Sequence, residues 1–338
     1  MPLWAGSPRA YVAVLLALLS VCLLSAACTS KTPTIPAVEK VTVAVPANLY
    51  GALFFVAREK GYFREEGLDV ALDVHPYGKV ALDNMVSGGA DFAVSAETPV
   101  VFTVLKGGDV LVIASVLESV KDQIIIAMRR SGVEAPADLR GKRIGVTLGT
   151  NGEFLLDTFL VVNGIPRDSV RILNLGPDNM RAALKAGKVD AVSTGGQFGV
   201  GIREEFGEGA VTFFGENIYM LISPVTVLRE FARTRPAAVR KLLRSLLRSQ
   251  EFVRVDPAAA LDIVARGLRT DPETVQQLWP LYEFRVKLDQ SLLINMENQA
   301  RWAIRNRLVP AKEVPDFLKY IHIEGLLAEK PEAVTVIR

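Results

Sequence analysis

Two stretches of this chain repeat one small pattern, and that pattern limits the folds open to it. Gly89-Ala-Asp-Phe-Ala-Val-Ser-Ala-Glu-Thr-Pro-Val100 and Gly187-Lys-Val-Asp-Ala-Val-Ser-Thr-Gly-Gly196 both run from glycine to aspartate to Ala-Val-Ser. In each, the apolar residues before the serine read as a short buried strand. The residues after it fall between the carboxyl end of that strand and the start of a helix, with Thr98 and Pro99 reading as N-cap and first helical position. In open α/β sheets such corners are where ligands bind. A chain with two of them is expected to build two similar lobes whose corners face one cleft.

The remaining pattern fits two such lobes. Val41 to Val45 reads as a strand, Leu49 to Lys60 as a helix with Asn48 as its N-cap, and Leu68 to Val74 as an alternating strand. A helix over Val80 to Val86, the first corner, a helix to Lys106 and a strand over Val110 to Ser115 complete a βαβαβαβ series, so a parallel sheet is expected. Gln123 to Met128 reads as a strand leaving this lobe. A second βαβαβ series then runs from Arg143 to Ser193, with Thr150 and Glu153 at capping-box spacing. Ile218 to Ile222 reads as the return. The last third is helical: Val239, Leu242, Leu243, Leu246 and Leu247 form one apolar stripe, and Asp256-Pro257 and Asp271-Pro272 read as helix starts.

The 338 residues are half apolar, enough for a large core, and the net charge of +2 lacks the basic excess of a nucleic-acid binder. Both cysteines, Cys22 and Cys28, lie near the N-terminus, so the body holds no thiolate metal site and no cofactor or metal is expected there. Arg9 followed by the uncharged run Tyr11 to Ala27 reads as a signal peptide, residues 1–27. Its end, Leu24-Ser-Ala-Ala-Cys28, resembles a bacterial lipoprotein lipobox, with Ser25 where leucine is more usual. That resemblance implies a lipidated Cys28, palmitate among its acyl chains, and a membrane-anchored protein on the extracytoplasmic face. Residues 28–40 then read as a tether.

Candidate ligand-binding residues come from the corners: Asn48 and Tyr50; Ser95, Glu97 and Thr98; Thr150 and Asn151; Asp178; and Gly195, Gly196 and Gln197, with Gln123 near the crossing. Helix starts offer unpaired N–H donors, and glycines allow close backbone approach. For Thr98 and Thr150 capping alone is a sufficient account, and Glu97 also reads as a capping or solvent-facing carboxylate. These corners carry no Lys or Arg, while Glu97 and Asp178 are acidic. Like charges about 4 Å apart repel by about 4 kcal/mol at an effective dielectric near 20, so a nitrogen-bearing ligand is expected over an oxoanion.

Further motifs carry a family resemblance: Val43-Ala-Val-Pro46, Lys60-Gly-Tyr-Phe63, Glu66-Gly-Leu-Asp-Val70, Gly88-Gly-Ala-Asp91, Ala137-Asp-Leu-Arg-Gly-Lys-Arg-Ile-Gly-Val146 and Gly187-Lys-Val-Asp-Ala191. In order and spacing they resemble the substrate-binding proteins of ABC importers for nitrate, sulfonate, taurine and thiamine precursors. The resemblance implies an α/β, two-lobe type II periplasmic-binding-protein fold with two crossover strands and a helical C-terminal third. It assigns residues 41–127 and 224–338 to one lobe and 128–223 to the other. It also implies a monomeric, extracytoplasmic binder that hands a small molecule to an ABC permease and its ATPase.

Motifs of nucleophilic, nucleotide-binding or metal-dependent enzymes are missing, and His75 and His322 stand alone, so binding rather than catalysis is expected. The alternatives are a receptor that signals to a sensor partner, an enzyme using Glu97 and Asp178, and a sulfonate or nitrate ligand.

Overall fold

The computed structural model describes Met1 and residues 38–337. The expected signal peptide (1–27), Cys28 and nearly all of the tether (28–40) lie outside the described residues. The tether ends earlier than expected, because Glu39 and Lys40 already belong to the first strand.

Strand β1 (Glu39–Pro46) leads through a 3-10 turn to helices α1 (Ala52–Glu59) and α2 (Tyr62–Glu65). Then come β2 (Leu68–His75), α3 (Gly78–Val86), β3 (Phe92–Val94), α4 (Glu97–Leu105) and β4 (Val110–Ser119). The chain crosses to β5 (Gln123–Met128), β6 (Arg143–Val146), α5 (Asn151–Val162), β7 (Arg171–Asn174), α6 (Pro177–Lys185), β8 (Ala191–Gly195), α7 (Gly196–Phe206) and β9 (Ala210–Phe214). It returns as β10 (Leu221–Leu228), followed by α8 (Arg229–Thr234), α9 (Pro236–Val255), α10 (Pro257–Leu268), α11 (Pro272–Leu278), α12 (Gln290–Arg305) and α13 (Ile323–Glu329).

Two five-stranded sheets share one plan. The first is ordered β2-β1-β3-β10-β4 and the second β7-β6-β8-β5-β9. In each, the first three strands are parallel, the fourth is antiparallel to the third, and the fifth is antiparallel to the fourth. The expected all-parallel sheet is therefore corrected to a mixed one. β4 does not pair with β3, because β10 returns from the second sheet and lies between them. The lobe boundaries expected at 127/128 and 223/224 fall inside β5 and β10. The crossings themselves are the polar turn 120–122 and the segment 215–220, since the apolar runs beside them are needed as buried central strands.

The C-terminal helices cover the first sheet. The stripe of α9 is buried at Val239, Leu242, Leu243 and Leu246, while Arg244 on another face pairs with Glu66 and Glu329. Asp256 and Asp271 cap their helices as expected, accepting from Ala259 N–H (3.1 Å) and Glu273 N–H (3.0 Å). Among the described residues no helix is long and apolar enough to cross a membrane.

Candidate functional site

The carboxyl ends of six parallel strands, three from each sheet, converge on one cleft. After β1 come Asn48 and Tyr50, after β2 Tyr77, Gly78 and Lys79, and after β3 Ala96 and Pro99. The second sheet brings Thr147, Thr150 and Asn151 after β6, Pro177 and Met180 after β7, and Ser193 to Phe198 around the end of β8. The first crossing adds Asp122 and Gln123.

The start of α5 is the donor-rich side. The expected capping box does not form. Thr150 Oγ1 donates to the Thr147 carbonyl at 2.7 Å, and Glu153 accepts from the Gly149 N–H at 2.7 Å, one residue earlier than a box requires. Gly149 reaches this position with φ +72°, a backbone conformation that favours glycine. Among the described residues, no group accepts from the N–H of Asn151 or Gly152, so both remain available to a ligand. The helix start is pinned from behind by Ser193 Oγ, which donates to the Gly152 carbonyl at 2.7 Å.

At the first crossing, the buried Asp122 carboxylate accepts from Tyr50 Oη at 3.0 Å, from Tyr282 Oη and from Gln123 Nε2. Burial pushes its pKa up, while Tyr282, Gln123, Tyr50 and the Gly196 N–H favour the charged form. A Cβ on Gly195 would land on Gln123 Nε2 and lie 2.7 Å from the carbonyl and a carboxylate oxygen of Asp122. Only glycine fits there.

Several candidate residues have other duties. Asn48 Oδ1 caps its turn by accepting from the Tyr50 N–H at 3.0 Å. Gln197 Nε2 donates to the Ala47 carbonyl at 2.8 Å, joining the second half to the first across the cleft. Asp178 lines an adjoining pocket with Arg181 rather than the cleft itself. Three residues of the first corner do not line the cleft. Ser95 is fully buried, its hydroxyl donating to the Ala96 carbonyl at 2.9 Å, and Thr98 is buried beside it. Helix α4 begins at Glu97 with Ala96 as its N-cap, which corrects the start expected at Thr98.

Glu97 itself points into the core. It accepts from Tyr219 Oη at 2.5 Å, Gln299 Nε2 at 2.7 Å and Ile222 N–H at 3.1 Å. Burial raises its pKa to about 7 against the pull of these donors.

The sequence pattern of the NMT1/THI5-like family matches residues 48–260, well over half of the chain. The chain belongs to the NMT1/THI5-like family. Among relatives of this NMT1/THI5-like chain, a Brucella abortus (strain 2308) protein named as a binding protein is 26% identical over 253 residues, 72% of this chain and 77% of that one. The riboflavin-binding protein RibY of Chloroflexus aurantiacus is 26% identical over 292 residues, 80% of this chain and 81% of that one. Among solved structures, the alkanesulfonate-binding protein SsuA of Xanthomonas axonopodis pv. citri, bound to MOPS, superposes with TM-score 0.72 at 19% identity, covering 89% of this chain and 99% of that one. The NMT1/THI5-like chain thus has the two-lobe periplasmic-binding-protein fold, with β5 and β10 as its crossover strands.

Two charged residues of the cleft escaped the sequence reading. Lys79 lies in the first turn of α3, at the β2 corner, where the same strand-to-helix logic would have found it; its Nζ pairs with Asp83 at 2.5 Å. Asp122 sits in a polar turn between two apolar runs and reads as an ordinary surface residue.

Proposed function

We propose that this NMT1/THI5-like protein is an extracytoplasmic solute-binding lipoprotein that closes its two lobes on a small polar, nitrogen-bearing molecule and delivers it to an ABC permease and its ATPase. The observation that carries the reading is the convergence of six strand ends from two like-ordered sheets on one cleft, with the N–H groups of Asn151 and Gly152 free at its wall. Solute contacts made by both lobes exist only in the closed form, so binding favours closure about the two crossings. Micromolar affinity is about 8 kcal/mol, enough to shift an opening equilibrium of a few kcal/mol.

The acidic pair Glu97 and Asp178 no longer argues for the ligand's charge or for catalysis, because neither lines the cleft. Support for nitrogen comes instead from the Asp122–Gln123 pair at the crossing and from a relative that binds riboflavin, a nitrogen heterocycle. Two observations favour an anionic sulfonate instead. Lys79 supplies a cation at the cleft wall, and a structural neighbour is named for alkanesulfonates.

Titration calorimetry with amino-heterocycles, amines and sulfonates, paired with small-angle scattering, tests the reading. Binding of one solute class with a fall in the radius of gyration is expected; an unchanged profile at saturation counts against the clamp. Cys28→Ala is expected to release the protein from membranes, and a variant that stays membrane-bound rules out the lipid anchor.

A further inference from the structure

We infer that Gln123 Oε1 is the selecting acceptor of the cleft, fixed in place by Asp122, so that the captured solute must present an N–H donor beside its own acceptor atoms. The inference rests on the solute-binding reading above and narrows its ligand class.

The chemistry of Asp122 sets the orientation. An ionised carboxylate is acceptor-only, and this one already accepts from Tyr50 Oη at 3.0 Å and from Tyr282 Oη. A primary amide beside it lowers its energy by turning the NH2 group toward the carboxylate, and Gln123 does so. Its oxygen is thereby directed the other way, toward the start of α5, where a Cβ built on Gly152 would lie 3.6 Å from Gln123 Oε1. Among the described residues the side-chain hydrogen bond of Gln123 is the one its Nε2 donates to Asp122, which leaves that oxygen without a donor, and Gln123 lines the cleft. Gly195 leaves the space the pair occupies.

The wall therefore offers two kinds of group side by side: the free N–H donors of Asn151 and Gly152, and one fixed acceptor. Their complement is an N–H next to a ring nitrogen or carbonyl, as in an amino-heterocycle or an amide. A sulfonate or nitrate has acceptors only. It satisfies the N–H groups but leaves Gln123 Oε1 buried against an oxygen, a mismatch worth tenfold to a hundredfold in affinity.

The test uses 4-aminopyrimidine, 4-(dimethylamino)pyrimidine and ethanesulfonate in titration calorimetry on the full chain. The two pyrimidines share ring acceptors and differ in the exocyclic N–H. The wild type is expected to bind 4-aminopyrimidine at least tenfold more tightly than either other probe. Gln123→Leu is expected to bring the two pyrimidines within threefold. Asp122→Asn, which supplies an amide N–H and lets Gln123 turn over, is expected to do the same with the fold intact by circular dichroism. A purely structural role for Asp122 would weaken both pyrimidines equally and leave their ratio unchanged. Equal wild-type affinity for the two pyrimidines overturns the inference, as does a ratio unmoved by Gln123→Leu. Ethanesulfonate binding more tightly than 4-aminopyrimidine, with compaction in scattering, overturns it while leaving the solute-binding reading intact. Binding of none of the three overturns it as well.

Discussion

The two corners that share Ala-Val-Ser are framed alike and finished differently. In the first, Asp91 Oδ2 accepts the Thr42 N–H at 2.8 Å; in the second, Asp190 Oδ2 accepts the Arg143 N–H at 2.9 Å. Each aspartate ties the head of the third strand to the neighbouring first strand, β1 or β6, so this part of the repeat is a device of the fold. After the serine the corners diverge. Ala96-Glu97 turns a carboxylate into the core, where it holds the return crossing through Tyr219 and Ile222 and holds helix α12 through Gln299. Thr194-Gly195-Gly196 carries no bulk, and the space it leaves holds the Asp122–Gln123 pair at the outgoing crossing. A repeated motif thus marks the shared scaffold, and the residue after it decides whether the corner braces the core or opens to the cleft.

Five substitutions put weight on that contrast. The largest effect is expected at the open corner. Gly195→Ala sets a methyl against Gln123 and Asp122, so solute affinity measured by calorimetry is expected to fall at least a hundredfold. Unchanged affinity would mean that the second corner is not part of the site.

At the braced corner the effect is on stability instead. Glu97→Ala leaves the Tyr219 hydroxyl, the Gln299 amide and the Ile222 N–H without their acceptor, at a cost of about 3 kcal/mol in urea unfolding and with affinity within twofold of wild type. A large loss of affinity without loss of stability would return Glu97 to the cleft. The same residue predicts a pH slope. Burial raises its folded pKa to about 7, above the usual carboxylate value of 4.5, so the folded chain holds this proton more tightly than the unfolded one. Its contribution is full below about pH 4.5 and is lost as pH rises through about 7, by up to about 3 kcal/mol. Glu97→Gln is expected to flatten that slope in urea titrations taken between these limits; an unaltered slope would assign it to other groups.

The smallest effects belong to the shared frame. Asp91→Ala and Asp190→Ala are each expected to cost about 1 kcal/mol, after solvent screening, and to leave affinity unchanged. For Asp190 the Arg143 guanidinium holds the carboxyl down at about 2, so its share is present above the usual carboxylate range and is lost as pH falls through about 2. The wild type is accordingly expected to lose stability more steeply in that range than Asp190→Ala, as acid unfolding would measure. Unequal losses from the two aspartates would break the equivalence of the frames.

What the sequence disclosed follows the range of the interactions involved. The strand ends, the caps at Asn48, Asp256 and Asp271, and the buried stripe of α9 depend on neighbours a few residues away, and they were legible. The direction of Glu97 depends on Tyr219 and Gln299, distant in the chain, and nothing local to Glu97-Thr-Pro99 signals it. Thr150 and Glu153 have capping-box spacing, yet Gly149 takes the glutamate because its positive φ brings its N–H within reach. Asp122 was invisible for the opposite reason: a polar turn between two apolar strands looks exposed until both sheets close over it.

Hydrogen exchange of single amides, followed with and without a solute that calorimetry shows to bind, tests the site most directly. Slowed exchange concentrated at Asn151, Gly152 and the Gly195–Gln197 turn is the expected result. Protection that spares these amides and appears elsewhere on the surface would contradict capture between the two lobes.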